Sequence, residues 1–194
     1  MWNYKTFGIP DEEFIRGKVP MTKEEVRTIT ISKLRLQEDH TVVDIGAGTG
    51  SLSIEAALVC KNGTVLSIER KEEGIDLIKK NMEKFHINNL IPIHGKAVEA
   101  LNDIDFFHRA IIGGSGGQLE EIVRMCHEKL VDGGILVVNA ITIETLYNSI
   151  KFMEKEGFEK IETICVNISR GDKLGNYTLM KGLNPIYIIT GKKQ

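Results

Sequence analysis

The sequence predicts an α/β fold: a doubly wound, Rossmann-like sheet, mostly parallel, covered by helices on both faces and ending in an antiparallel C-terminal hairpin. Three observations predict it. From residue 41 onward, short β-branched runs alternate with longer amphipathic segments, the pattern of successive βαβ units. A glycine-rich turn, Gly46-Ala47-Gly48-Thr49-Gly50, joins the first strand to the helix after it, close to where open α/β sheets bind ligands. Beyond residue 157 the alternation stops, and two strand-like runs follow with no helix between them.

Residues 1–20 form a polar and aromatic arm punctuated by Gly8, Pro10, Gly17 and Pro20. Thr22-Lys23-Glu24-Glu25 matches a capping box, with the Thr22 hydroxyl accepting from the Glu25 amide. Val26, Ile29 and Leu34 follow at helical spacing, so a helix is expected over 23–36. Thr41–Ile45 reads as the first strand, 52–60 as a helix, Thr64–Glu69 as the second strand and 71–85 as the next helix. Leu90–His94 is the third strand, with Pro92 as its weak point. Arg109–Ile112 is the fourth. Leu119, Ile122, Val123, Cys126 and Leu130 share one helical face over 117–131. Gly133-Gly134 is expected to stop that helix before a fifth strand at Ile135–Asn139. A last helix over 142–156 ends at Gly157 as a glycine cap. Residues 158–168 and 185–190 are expected to pair antiparallel around a long polar loop at 168–184. No repeat or linker divides the 194 residues, so one domain with an arm and a C-terminal excursion is expected.

Composition narrows the function classes. A charged fraction of 27%, a hydrophobic fraction of 42% and a net charge of −2 are those of a soluble globular chain. They exert no general pull toward nucleic acid or anionic membrane, so neither is expected as a partner. The N-terminal residues lack a secretory pattern, and no apolar run approaches the roughly 20 residues of a membrane span. A cytoplasmic location is expected. Three scattered cysteines form no C-x-x-C pair, and Cys126 and Cys165 read as buried small hydrophobes. The five histidines show no ligand spacing, and no metal is expected; His94, at a strand end, is the one nearest the expected active edge.

The chemistry centres on the turn after the first strand. A dinucleotide site requires G-x-G-x-x-G/A, which counted from Gly46 places glycine or alanine where Ser51 stands. The chain instead has G-x-G-x-G with Asp44 two residues ahead. This form resembles the D-x-G-x-G-x-G signature of class I S-adenosylmethionine-dependent methyltransferases. That cofactor has no pyrophosphate to seat, but its ammonium requires acceptors, which suits an acid such as Asp44. Glu69 closes the second strand 23 residues after Gly46, and a carboxylate accepts two hydrogen bonds side by side, as a ribose diol requires. After the third strand, the Ala97 amide is placed to read adenine. Gly114 and Ser115, in the Gly113–Gly117 run after the fourth strand, stand where many methyltransferases face substrate. The N/D-P-P-Y/F motif of amino-group methyltransferases is absent there; Asn184-Pro185-Ile186-Tyr187 lies at the last strand and is read as coincidence.

Over nearly its whole length the chain resembles the decarboxylating cobalt-precorrin/precorrin C-15 methyltransferases of cobalamin biosynthesis. The resemblance rests on Gly8-Ile9-Pro10-Asp11, Pro20-Met21-Thr22-Lys23, the run 44–57, Gly113–Leu119 and 175–191. It implies methyl transfer to a ring carbon of a corrin precursor, loss of carbon dioxide from an acetate side chain, and a homotetramer. Its cofactor contacts fall on Thr22, Gly46, Ala47, Gly48, Thr49, Gly50, Glu69 and Ala97. A substrate with many carboxylates requires cations, and Arg16, Lys18, Lys23, Arg170, Lys173 and Lys181 cluster in the arm and the tail loop. No catalytic acid or base is singled out. The rival readings are a methyltransferase acting on tRNA or protein isoaspartate, an NAD-dependent oxidoreductase, which Ser51 disfavours, and a noncatalytic cofactor-binding protein.

Overall fold

The computed structural model describes residue 2 and residues 4–194. Five strands, β1 (Thr41–Ile45), β2 (Thr64–Glu69), β3 (Leu90–His94), β4 (Phe107–Ile112) and β5 (Leu130–Ala140), pair in parallel in the order β3-β2-β1-β4-β5. Their Val and Ile content follows from burial on both faces, as parallel sheets demand. Pro92 is tolerated because β3 is the sheet edge, where the missing N–H removes no internal ladder bond. The chain winds outward from β1 to β3 and then crosses back to β4, so the switch point falls between β1 and β4.

Helices α1 (Glu24–Leu34), α2 (Ser51–Val59) and α3 (Glu72–Phe85) bury Leu34, Ile54 and Ile78 against one face. Helices α4 (Ala97–Asn102), α5 (Leu119–Lys129) and α6 (Ile143–Glu156) bury Leu101, Ile122 and Met153 against the other. The C-cap of α6 at Gly157 is as predicted, with φ +86°. Its N-cap is Thr142, whose hydroxyl accepts from the Thr145 amide at 3.1 Å.

The structure departs from the sequence reading at five points. The predicted Thr22 capping box does not form: Lys23 is the N-cap of α1 and makes no side-chain cap bond. Asp11 of the arm does the capping instead, accepting from the Glu24 amide at 3.0 Å. Helix α4 was not predicted, because six residues are too few to display a helical stripe. Gly133-Gly134 does not stop α5. Strand β5 begins directly at Leu130, and the pair lies within it where the β4–β5 register shifts. Cys165 is exposed rather than buried, since its strand is the outer one of the sheet.

The tail differs most. Strand β6 (Glu159–Val166) and strand β9 (Ile186–Lys192) do pair antiparallel, but β9 also inserts beside β5, giving the order β5-β9-β6. The expected loop folds as a separate ribbon of β7 (Ser169–Leu174) and β8 (Tyr177–Gly182). Its turn is Gly175-Asn176, a two-residue hairpin connection with φ +60° at the glycine.

Candidate active site

The C-terminal ends of β1, β2 and β4 open into a cleft of about 940 Å³ at the switch point. That lies at the upper end of the range for small-molecule sites, with room for more than one nucleoside-sized group. One half is built from β1–β3 and the loops after them. The other is built from the β4 loop and the ends of β5 and β9, with the arm residues Val19–Thr22 along its rim.

Asp44 sits on β1, 1% exposed, and lines the cleft. Its Oδ2 accepts from the Ser53 hydroxyl at 2.5 Å. The Ser53 oxygen also lies 2.5 Å from the Ser67 hydroxyl. Since Ser53 has one proton and gives it to Asp44, Ser67 donates to Ser53, and the two serines form a relay that orients the carboxylate. Oδ1 has no partner among the described residues. Burial pushes the Asp44 pKa up to about 6, opposed by the Ser53 hydrogen bond and assisted by the charge of Glu69. A buried, uncompensated acceptor of this kind suits a cationic donor.

The turn after β1 is shaped by close backbone approach. Gly46, at φ +73°, would place a Cβ 2.5 Å from the Gly114 carbonyl oxygen. Gly48, at φ +59°, would place one 2.7 Å from the Pro20 carbonyl oxygen. Glycine is therefore required first so that the β1 and β4 loops and the arm can meet over the site. Glu69, at the end of β2, is 7% exposed. Its Oε2 accepts from the Gly48 amide and its Oε1 from the Lys71 amide, both at 2.9 Å. These bonds fix the carboxylate at the cleft wall, and each oxygen keeps acceptor capacity for a ligand hydroxyl. Beyond it, Gly95 has nothing within 4 Å of the place a Cβ would take, which leaves the wall open next to Ala97.

The arm is clamped by a buried ion cluster. Arg27 of α1, fully buried, donates from Nε to Glu55 at 2.9 Å and from Nη1 to Asp11 at 3.0 Å. It also donates to the carbonyls of Ile9 and Thr22. Glu55 in turn accepts from the amides of Gly8 and Ile9, each at 3.1 Å. The same cations and carboxylates that look like scattered polar residues in the sequence thus hold the arm across the glycine turn.

A model of the precorrin methyltransferase domain matches residues 12–193. The chain belongs to the precorrin methyltransferase family. A protein of Saccharolobus solfataricus named probable cobalt-precorrin-6B C(15)-methyltransferase (decarboxylating) is 43% identical, over 99% of this chain and 98% of that one. The crystal structure of precorrin-6Y C5,15-methyltransferase from Geobacter metallireducens superposes with a TM-score of 0.92 at 41% identity, covering 98% of this chain and all of that one. That of precorrin-8W decarboxylase from Methanobacterium thermoautotrophicum gives 0.90 at 34%, covering 94% and 98%.

Within the precorrin methyltransferase family the sequence-predicted residues sort cleanly by position. Thr22, Asp44, Gly46, Ala47, Gly48, Glu69, Ala97, Gly114 and Ser115 all line the cleft. Thr49 and Gly50 are not part of its lining: Thr49 is fully buried and Gly50 is the N-cap of α2. Arg16, Lys23, Lys173 and Lys181 also stand outside the lining. Lys23 lies 3.5 Å from Asp11, and Lys173 and Lys181 are on the outlying ribbon. Arg170 is engaged by Glu25, with contacts of 2.7 to 3.1 Å. His94 is exposed, and its Nε2 is 3.2 Å from the Arg70 carbonyl oxygen. The cations that do line the cleft are Arg70, Lys71 and Lys96. Their positions just past β2 and β3 were a signal the sequence offered. Asn139 also lines it, and nothing in the sequence marked it.

Proposed function

We propose that this chain is an S-adenosylmethionine-dependent cobalt-precorrin C-15 methyltransferase that also removes the C-12 acetate carboxylate as carbon dioxide. The observation that carries the reading is the pair of carboxylates, Asp44 and Glu69, at adjacent strand ends on one cleft wall in a chain of the precorrin methyltransferase family. The residues fit the methyl donor: Asp44 Oδ1 is a buried acceptor, without a partner among the described residues, for its ammonium, and Glu69 is held by two amides with capacity left for its ribose hydroxyls. Gly46, Ala47 and Gly48 shape the cleft floor, Ala97 stands at the adenine end, and Thr22 closes the rim.

When bound, S-adenosylmethionine supplies an electrophilic methyl group. The chain's own residues position it, exclude water under the arm and hold the acceptor carbon in line, which supplies much of the acceleration. Methyl transfer leaves the electrons of the new bond drawn from the macrocycle. Decarboxylation returns an electron pair from the breaking carbon–carboxylate bond to the conjugated ring, so no protein nucleophile is required. Gly114 and Ser115, after β4, are assigned to the acceptor side. Arg16, Lys23, Lys173 and Lys181 lie outside the lining of this protomer's cleft, and the reading assigns them no contact within it.

We further infer a cytoplasmic homotetramer. No helix among the described residues is long and apolar enough to cross a membrane. The β7–β8 ribbon exposes Leu174, Tyr177 and Leu179 on one face, an apolar surface that a second copy would cover. Sedimentation velocity tests the assembly, and a monomer would reject it. The reaction is tested by incubation with methyl-labelled S-adenosylmethionine and cobalt-precorrin-6B. The expected product gains one labelled methyl and loses one carbon dioxide, and Glu69→Gln weakens S-adenosylhomocysteine binding at least tenfold. Absence of methyl transfer by the wild-type protein would reject the reading.

A further inference from the structure

Asn139 is the last polar residue of β5 before the strand ends, in register with Ile188 of β9. Its Oδ1 lies 3.1 Å from the hydroxyl of Thr30, a fully buried residue of α1. The Thr30 oxygen is also 2.8 Å from the Val26 carbonyl, so its single proton is shared in a three-centre bond that pins the amide from behind. The other end of that amide, Nδ2, is buried and has no hydrogen-bond partner among the described residues. Asn139 lines the cleft. A buried NH2 without a partner among the described residues is costly and uncommon in native folds, and the residue that carries it borders the cleft.

Position decides which ligand. Asp44 of β1 pairs with Ile111 of β4, which pairs with Val137 of β5, so Asn139 stands level with the glycine turn but two strands across. Glu69 is on β2, three strands away, a lateral distance of about 14 Å at ordinary strand spacing. The nucleoside-holding carboxylate is thus on one half of the cleft and Asn139 on the other, with Ser115, Ile141 and Ile186. We propose that Asn139 binds the methyl acceptor, its Nδ2 donating to a side-chain carboxylate of the tetrapyrrole while Thr30 fixes the rotamer. This rests on the proposed reaction, whose acceptor carries at least the acetate that is lost. Asn139 is a binding residue that sets where the macrocycle sits, and Thr30 is a positioning residue acting through it.

The experiment uses the full chain loaded with S-adenosylhomocysteine and titrated with cobalt-precorrin-6B, followed by tetrapyrrole absorbance without turnover. Asn139→Asp keeps the acceptor toward Thr30 but replaces the donor with a charge of the same sign as the ligand. It is expected to weaken tetrapyrrole binding tenfold or more, with S-adenosylhomocysteine affinity within twofold of wild type. Asn139→Leu, of similar size and compatible with the neighbouring isoleucines, is expected to weaken it about as much and guards against misfolding of the first variant. Thr30→Val is expected to give a smaller loss in the same direction. Wild-type tetrapyrrole affinity in either Asn139 variant overturns the proposal. So does an equal loss of both ligands, which would make Asn139 structural or part of the nucleoside half. A wild-type protein that binds no tetrapyrrole overturns the reaction assignment itself, and the role of Asn139 with it.

Discussion

Replacing Asp44 by Asn removes a charge that the folded chain holds at a cost until a cation arrives. Burial raises the Asp44 pKa from 3.8 to about 6, so the fold favours its neutral form by about 3 kcal/mol at pH well above 6. The sign follows from linkage. An acid whose pKa is raised on folding stabilises the fold fully below its unfolded pKa, and that contribution is lost as pH rises through about 4 to 6. Asparagine does not titrate. The unfolding free energy of the wild type minus that of Asp44→Asn is therefore expected to fall by about 2 kcal/mol between about pH 4.5 and pH 7. Urea unfolding of both ligand-free proteins across this range measures it, and taking the difference cancels the other carboxylates. On the proposed reading, S-adenosylhomocysteine is expected to reverse the preference, because its ammonium would favour the ionised acid. Wild-type affinity is expected to drop steeply below pH 6, by up to tenfold per unit, while the variant binds weakly with no such slope. A stability difference independent of pH, or rising with it, would refute the claim that burial raises the Asp44 pKa in the ligand-free protein.

Two further substitutions probe the scaffold. Gly46→Ala forces a methyl to within 2.9 Å of three Gly114 backbone atoms at a positive φ; a loss of about 2 kcal/mol or more in urea unfolding, with loss of S-adenosylhomocysteine binding by calorimetry, is expected. Arg27→Met leaves Glu55 buried without its cation and Asp11 with only the half-exposed Lys23 and Arg170 nearby, which is expected to cost about 3–5 kcal/mol; limited proteolysis should then cut within residues 14–20, and an intact arm would show that the clamp is dispensable.

The parts of the site legible in the sequence are those encoded by local spacing. Asp44, the glycine turn and Glu69 belong to one βαβ unit, where strand period, turn residues and strand-end acid all fall within about thirty residues. Asn139 was not legible, because its meaning depends on Thr30, 109 positions away. The cationic cluster was only partly legible for a related reason. Proximity in an irregular segment says nothing of which way a side chain is drawn, and Arg170 and Lys23 are drawn to Glu25 and Asp11.

By itself, then, the sequence determined the alternation of β1 to β5 with α2, α3, α5 and α6, the glycine turn at the switch point, and the glycine that ends α6. Each depends on backbone preference or on apolar periodicity, which act over a few residues. Only the tertiary structure decided that β9 inserts between β5 and β6, that Asp11 rather than Thr22 caps α1, and that Arg27 ties the arm over the cleft. Those outcomes are contests between distant partners for the same buried hydrogen bonds and charges, and they are resolved only when the chain has brought the competitors together.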